Sequence, residues 1–289
     1  MKKLLIASGC SFTEKDFVST YHPEMDCTWD KWPELLAEKL NMNCINLGSR
    51  GAGNEYIYNS IVEQVIKTKN NKIGLIVVGW SESKRFNFVP NTLLRHRPPT
   101  GSNHSSPILI SDFPQRDYSL SKLHPKIKNP YKRRPFGQDY EQDMLTLEYV
   151  VNRSIGFFFN LQTLCENYNI PLKHFSMIDL FSRGADMVDL FNRLKNNSID
   201  LEKLFMKIML NNPYLNIINN DFIGWPIKTE LGGFDVWNIV NENAGYQTST
   251  ESDLYQRLYW PTMISEKDSH PNIEGQKLIA EFLYENISS

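Results

Sequence analysis

Cysteine is scarce in this chain of 289 residues, with four in all: Cys10, Cys27, Cys44 and Cys165. None stands in a C-x-x-C pair, so their spacing offers no disulfide scaffold and no zinc or redox motif, and a reduced, cytoplasmic protein is expected. Long apolar runs are missing as well. No window approaches the ~18–20 apolar residues of a membrane span, and no membrane partner is expected. The start, Met1-Lys2-Lys3 followed by Leu4-Leu5-Ile6-Ala7, imitates a signal peptide, but its apolar run falls short of the ~7–15 residues required. It reads as a strand. Neither sign of charge dominates: 31 Lys and Arg against 33 Asp and Glu leave a formal net charge of −2. That balance gives no global electrostatic case for nucleic acid as the main partner. His22, His96, His104, His124 and His174 show no ligand spacing, so no metal is expected, and no cofactor either.

What is present is the material of a core. Hydrophobic residues make up 41% and charged residues 22%, which excludes a disordered, collagenous or simple coiled-coil chain. The first 80 residues alternate strand and helix patterns. Lys3 to Ala7 is a short apolar run ending at Ser8-Gly9-Cys10-Ser11. Trp32 to Leu40 places Leu36 and Leu40 four apart behind Pro33, which predicts a helix. Cys44 to Leu47 predicts a second strand, closed by Gly48-Ser49-Arg50-Gly51-Ala52-Gly53. Tyr56 to Lys67 sets Ile57, Ile61, Val65 and Ile66 on one helical face, and Ile73 to Val78 is apolar enough for a strand buried on both faces. This alternation predicts an α/β protein, a parallel sheet between layers of helices.

From 84 to 138 periodicity gives way to Pro, Asn, His, Arg and Lys, a loop-rich insertion over the carboxyl edge of the sheet. Within it Lys122 to Arg134 holds six basic residues and no acidic one: a solvated loop, or a contact for an acidic ligand. Beyond it the pattern predicts a long helix from Tyr140 to Asn167 and a strand near Leu172 to Met177. Further helices are expected around Asp186–Leu194 and Asp200–Leu210, a weak fifth strand at Tyr214–Ile218, and a last helix from Gly275 to Tyr284. No repeat and no linker divides the chain, so a single decorated domain over 1–289 is expected.

Loops at the carboxyl ends of parallel strands line the ligand crevice. Three such loops carry Ser11, Gly48 to Asn54, and Gly79-Trp80-Ser81-Glu82; a fourth piece, Asp268-Ser269-His270-Pro271, precedes the last helix. A serine hydroxyl becomes a nucleophile when a neighbouring base takes its proton, and imidazole suits that task. A carboxylate on the other ring nitrogen fixes the tautomer, and backbone N–H groups in a glycine turn can hold a developing oxyanion. The duller readings are that Asp268 or Asn272 caps a helix, and that the tryptophans belong to the core. The glycine-rich stretch 48–53 is not Gly-x-Gly-x-x-Gly and lacks the Lys-Ser/Thr of a phosphate loop.

In this combination and order the chain resembles the SGNH (GDSL-like) hydrolase family. Gly9-Cys10-Ser11-Phe12-Thr13 is similar to its nucleophile block, with Cys10 where many members have Asp. Asn46 to Gly51 is similar to the second block, and Asp268-Ser269-His270-Pro271, followed by Gly275, to the last. The resemblance implies a flavodoxin-like three-layer α/β/α sandwich and a serine esterase acting on a small or carbohydrate ester. It implies Ser11 as nucleophile, His270 as base, Asp268 as its partner, and the Ser11 and Gly51 amides as oxyanion donors. Two departures stand out. The family's oxyanion asparagine is replaced by Ser81, with Asn54 as a possible substitute, and Asp268 and His270 are two apart where the family has three, which leaves Glu266 as a second orienting group. Trp80 is the candidate for stacking on a sugar or acyl group. An acyltransferase with the same residues, or a binding module on the same fold, remains an alternative; the oligomeric state is not legible.

Overall fold

In the computed structural model residues 2–83, 85, 140–180, 201–246 and 260–288 are described. Apart from residue 85, the insertion at 84–138 with its basic run lies outside them, as does the helix expected around 186–194. Strands β1 (Leu4–Ser8), β2 (Asn43–Asn46), β3 (Ile73–Trp80), β4 (Leu172–Ser176) and β5 (Phe222–Ile223) form one parallel sheet in the order β2-β1-β3-β4-β5. The apolar runs Leu5-Ile6-Ala7 and Ile76-Val77-Val78 are fully buried, as central strands covered on both faces must be.

Helices α1 (Trp32–Lys39) and α2 (Asn54–Lys67) follow β1 and β2. Parallel crossovers are right-handed, and the chain steps outward from β1 to β2 and then back across to β3. The two helices must therefore cover opposite faces. Accordingly α1 packs against the last helix, α6 (Ile273–Ser288), and α2 against the long α3 (Tyr140–Tyr168). Helix α4 (Leu201–Leu210) follows β4 in sequence, and α5 (Val236–Asn243) packs on α6. The result is the three-layer α/β/α sandwich with flavodoxin-type strand order. Ser11 and Ser81 follow the two strands, β1 and β3, that flank the switch point of this order, where such sheets form their crevice.

Two elements differ from the sequence expectation. The fifth strand is Phe222–Ile223 and not Tyr214–Ile218; two residues are too few to show alternation, and Tyr214 to Ile218 folds into turns through Ile217 and Ile218 N–H groups donating to the Tyr214 carbonyl. The segment holding Asp268 and His270 is itself a strand, β7 (Asp268–Pro271), paired antiparallel with β6 (Met263–Ser265). All four cysteines are free thiols, and burial pushes those of Cys44 and Cys165 up to about 12. Among the described residues no helix is long and apolar enough to cross a membrane.

Candidate active site

The end of β1 turns sharply. The Cys10 carbonyl accepts from the N–H groups of Thr13 (2.9 Å) and Glu14 (3.2 Å), so Ser11 is held at the outset of a tight turn. Gly9 and Gly48 both pack directly on Thr13, and a Cβ at either would collide with it, which is why these positions need glycine. Thr13 is itself fastened, its hydroxyl accepting from the Trp32 indole of α1 at 3.2 Å. The glycine-rich loop after β2 is drawn against this turn by Ser49 N–H on the Gly9 carbonyl (3.0 Å) and by the Asn46 amide on the Thr13 carbonyl (2.7 Å). Gly51 lies there with φ +68°, a left-handed conformation that favours glycine.

The hairpin β6–β7 brings the other partners. Strand geometry puts residues two apart on one face, so Asp268 and His270 point the same way. The Asp268 Oδ1 meets His270 Nδ1 at 2.5 Å and also accepts the His270 backbone N–H at 3.2 Å. On the other side of the ring, His270 Nε2 lies 2.8 Å from Ser11 Oγ. A serine, a histidine and a carboxylate thus stand on one hydrogen-bonded line, with Ser11 259 positions from His270 in sequence. The His270 ring is packed by Phe12 (centroids 5.2 Å) and Phe17 (4.5 Å), which restrict its tilt, and its side chain keeps 28% of its surface open to solvent. Asp268 is 1% exposed; burial pushes its carboxyl up, but bonds from His270 and Ser19 outweigh burial and hold it down at about 2. It is an ionised acceptor across the neutral range.

Helix capping falls to Asn272, whose Oδ1 accepts from the N–H groups of Glu274 and Gly275, and this leaves Asp268 to His270. Glu266 is exposed at the hairpin turn, and the orienting bond comes from Asp268. Asn54 gives its amide to the loop after β3: Nδ2 donates to the Ser81 carbonyl (3.0 Å) and Oδ1 accepts the Ser81 N–H (2.8 Å). It braces that loop, in place of the donor role expected of it. The Ser81 hydroxyl is buried and has no hydrogen-bond partner among the described residues.

Trp80 does not serve as a stacking platform. It is 0% exposed, its indole N–H donates to Nδ1 of His174 (3.2 Å), and its ring packs on Phe158 at 4.6 Å. As the last residue of a central strand it faces the core, so nearness in sequence to Ser81 did not carry it into the crevice.

Sequence reasoning missed three residues around the site. Ser19, in the loop between β1 and α1, donates to Asp268 Oδ2 at 2.5 Å. Phe17, from the same loop, packs on the imidazole. Gln276, in the first turn of α6, accepts the Trp32 N–H (2.8 Å) and donates to the Phe12 carbonyl (3.1 Å), tying α1, the Ser11 turn and α6 together. Gln276 had a readable signal: it falls on the buried stripe with Ile279, Ala280 and Leu283 of an amphipathic helix, where a polar residue needs a partner.

Fold and site together define a class, a doubly wound three-layer α/β/α domain with a Ser–His–Asp line at its switch point. No family model and no curated protein matches the chain. Among solved structures it is similar to a protein assigned to the lipolytic G-D-S-L family from Desulfitobacterium hafniense, at 12% identity and TM-score 0.41 over 98% of this chain and 99% of that one. It is also similar to a member of that family from Veillonella parvula, at 13% identity and TM-score 0.36 over 98% and 97%. A variant of an acetyl xylan esterase from Geobacillus stearothermophilus follows at 13% identity and TM-score 0.36 over 99% and 94%. At such TM-scores the likeness is loose, and it is the strand order and register that define the fold.

Proposed function

We propose that this protein is a serine esterase of the SGNH type. The observation that supports the reading above all others is the unbroken line from Ser11 Oγ through His270 Nε2 and Nδ1 to Asp268 Oδ1, at 2.8 and 2.5 Å. In this mechanism Ser11 Oγ attacks the ester carbonyl carbon while its proton passes to His270 Nε2. Asp268 keeps its negative charge, accepts the Nδ1–H bond and stabilises the imidazolium; a carboxyl held at about 2 does not take the proton. The tetrahedral oxyanion is received by the N–H groups of Ser11 and Gly51 and by the Ser81 hydroxyl. Collapse expels the alcohol, which leaves with the proton from Nε2. Water then attacks the acyl-serine, giving its proton to Nε2, and on collapse Nε2 returns that proton to Ser11 Oγ as the acid departs.

The substrate class, a small O-acyl ester such as an O-acetylated sugar, follows from the family resemblance together with the open side of His270. A histidine turned into the core would have favoured a binding module; bonded to Ser11 and partly open to solvent, His270 favours catalysis. The test is hydrolysis of p-nitrophenyl acetate together with fluorophosphonate labelling. Ser11→Ala is expected to abolish both, and equal turnover in that variant removes the proposal.

A further inference from the structure

Ser19 stands where the Ser–His–Asp line has an unexplained requirement. Side chains two apart on a strand project nearly parallel from Cα atoms roughly 6.7 Å apart, so a short carboxylate must lean along the strand to reach its neighbour. Both His270 donors, the backbone N–H and Nδ1, bind Oδ1 of Asp268. Oδ2 is left as a charged acceptor on a side chain 1% exposed, and the group that meets it is the Ser19 hydroxyl, 249 positions away. Ser19 is equally buried, and its own orientation is set: the His22 backbone N–H donates to Ser19 Oγ at 3.0 Å. A hydroxyl has one proton, and with a lone pair engaged by His22 that proton is directed at Oδ2. The same loop grips the hairpin a second time. His22 Nε2 lies 2.7 Å from Ser265 Oγ, which also accepts the Asp268 N–H at 3.1 Å.

We propose that Ser19 is a positioning residue, whose hydrogen bond to Asp268 Oδ2 turns the carboxylate so that Oδ1 faces His270 Nδ1. This rests on the esterase reading above. The Ser19 bond is what lets an Asp-x-His pair on a strand do the work that the family pattern gives to a wider spacing. Its hydroxyl also shares the Asp268 charge, and its bond, with those from the His270 side chain and backbone, holds that carboxyl down. Removing it leaves more negative charge on Oδ1 and favours the imidazolium. Among the described residues, ionisable groups near the ring and its hairpin include Glu14, which interacts electrostatically with His270, Arg50, 3.6 Å from Glu14, and His22, whose Nε2 lies 2.7 Å from Ser265 Oγ. Substitution at Ser19 leaves Glu14 and Arg50 in place, and Ser19→Thr, which keeps the oxygen that accepts from His22, separates the bond to Asp268 from any shift of His22.

The experiment compares Ser19→Ala and Ser19→Thr with the parent protein in p-nitrophenyl acetate hydrolysis as a function of pH. Ser19→Ala is expected to lower kcat about 10–100-fold with KM within about twofold, and to move the acid limb of kcat/KM to higher pH. Ser19→Thr, which keeps the hydroxyl, restores most of kcat. Unchanged kcat with an unmoved acid limb in Ser19→Ala, or a loss that Ser19→Thr does not recover, overturns the proposal. Should Ser19→Ala not fold, Ser19→Cys keeps the volume with a weak donor and carries the same expected signs. A parent protein without Ser11-dependent turnover would instead strike the esterase reading. The Ser19 bond is then read by NMR titration of the Asp268 carboxyl, expected to rise in Ser19→Ala; an unmoved titration overturns it.

Discussion

Asp268 and His270 meet at 2.5 Å with a single residue between them, because the strand they occupy turns alternate side chains to one face. The family spacing of three suits a turn; a spacing of two suits β7. Inserting one alanine after Ser269 would bring the spacing back to three, yet it would flip the imidazole to the opposite face of the hairpin. Turnover of p-nitrophenyl acetate is therefore expected to fall to the level of Ser11→Ala, with circular dichroism unchanged. Retained turnover would mean that the strand geometry does not set the pairing.

Ser81 separates folding from catalysis. Its hydroxyl is buried without a partner among the described residues, so Ser81→Ala is expected to leave stability unchanged or raised by up to about 1 kcal/mol. If the hydroxyl meets the oxyanion, the same change lowers kcat by roughly 10²–10³-fold. A thermal melt and a kcat measurement on one variant check both halves. An unchanged kcat would leave the oxyanion to the backbone donors alone.

The strands and helices that frame the site were legible because burial writes them into local sequence. Ile73 to Val78 is apolar without interruption where a strand is covered on both faces, and Ile57, Ile61 and Val65 recur at helical spacing where α2 meets the sheet. Ser11, Asp268 and His270 were legible as residue types in an order. What stayed hidden was set by tertiary contact. β5 and β7 are too short to show a period, and Ser19 is one loop serine among many until the chain closes over 249 positions. Trp80 misled for the same reason, since a strand's last residue can face either the crevice or the core, and sequence does not say which.

Trp80→Phe tests that correction. Burial, with Lys173 adding to it, pushes the His174 imidazole down to about 3, so the ring is neutral and accepts the Trp80 indole N–H. Phenylalanine would leave that buried nitrogen unpaired and a gap against Phe158. A loss of about 2–4 kcal/mol in urea unfolding is expected, with KM for p-nitrophenyl acetate within about twofold. A large rise in KM at unchanged stability would return Trp80 to the substrate.

Asp235 predicts an unusual pH dependence of stability. It caps α5, accepting the Asn238 backbone N–H at 3.0 Å. Burial, reinforced by nearby Asp179, pushes its carboxyl from 3.8 up to about 7. Between those values the folded chain holds a proton that the unfolded chain has released, so folding weakens as pH rises. The contribution is complete below pH 3.8 and lost as pH passes through about 7, a difference of about 2–4 kcal/mol. Asn caps a helix as well as Asp and does not titrate. Asp235→Asn is thus expected to melt higher than the parent at pH 8 and to converge with it near pH 4, as followed by thermal unfolding across that range. A constant offset between the two curves would place the effect in packing, because only a group that changes charge between the folded and unfolded chain can tilt one curve against the other.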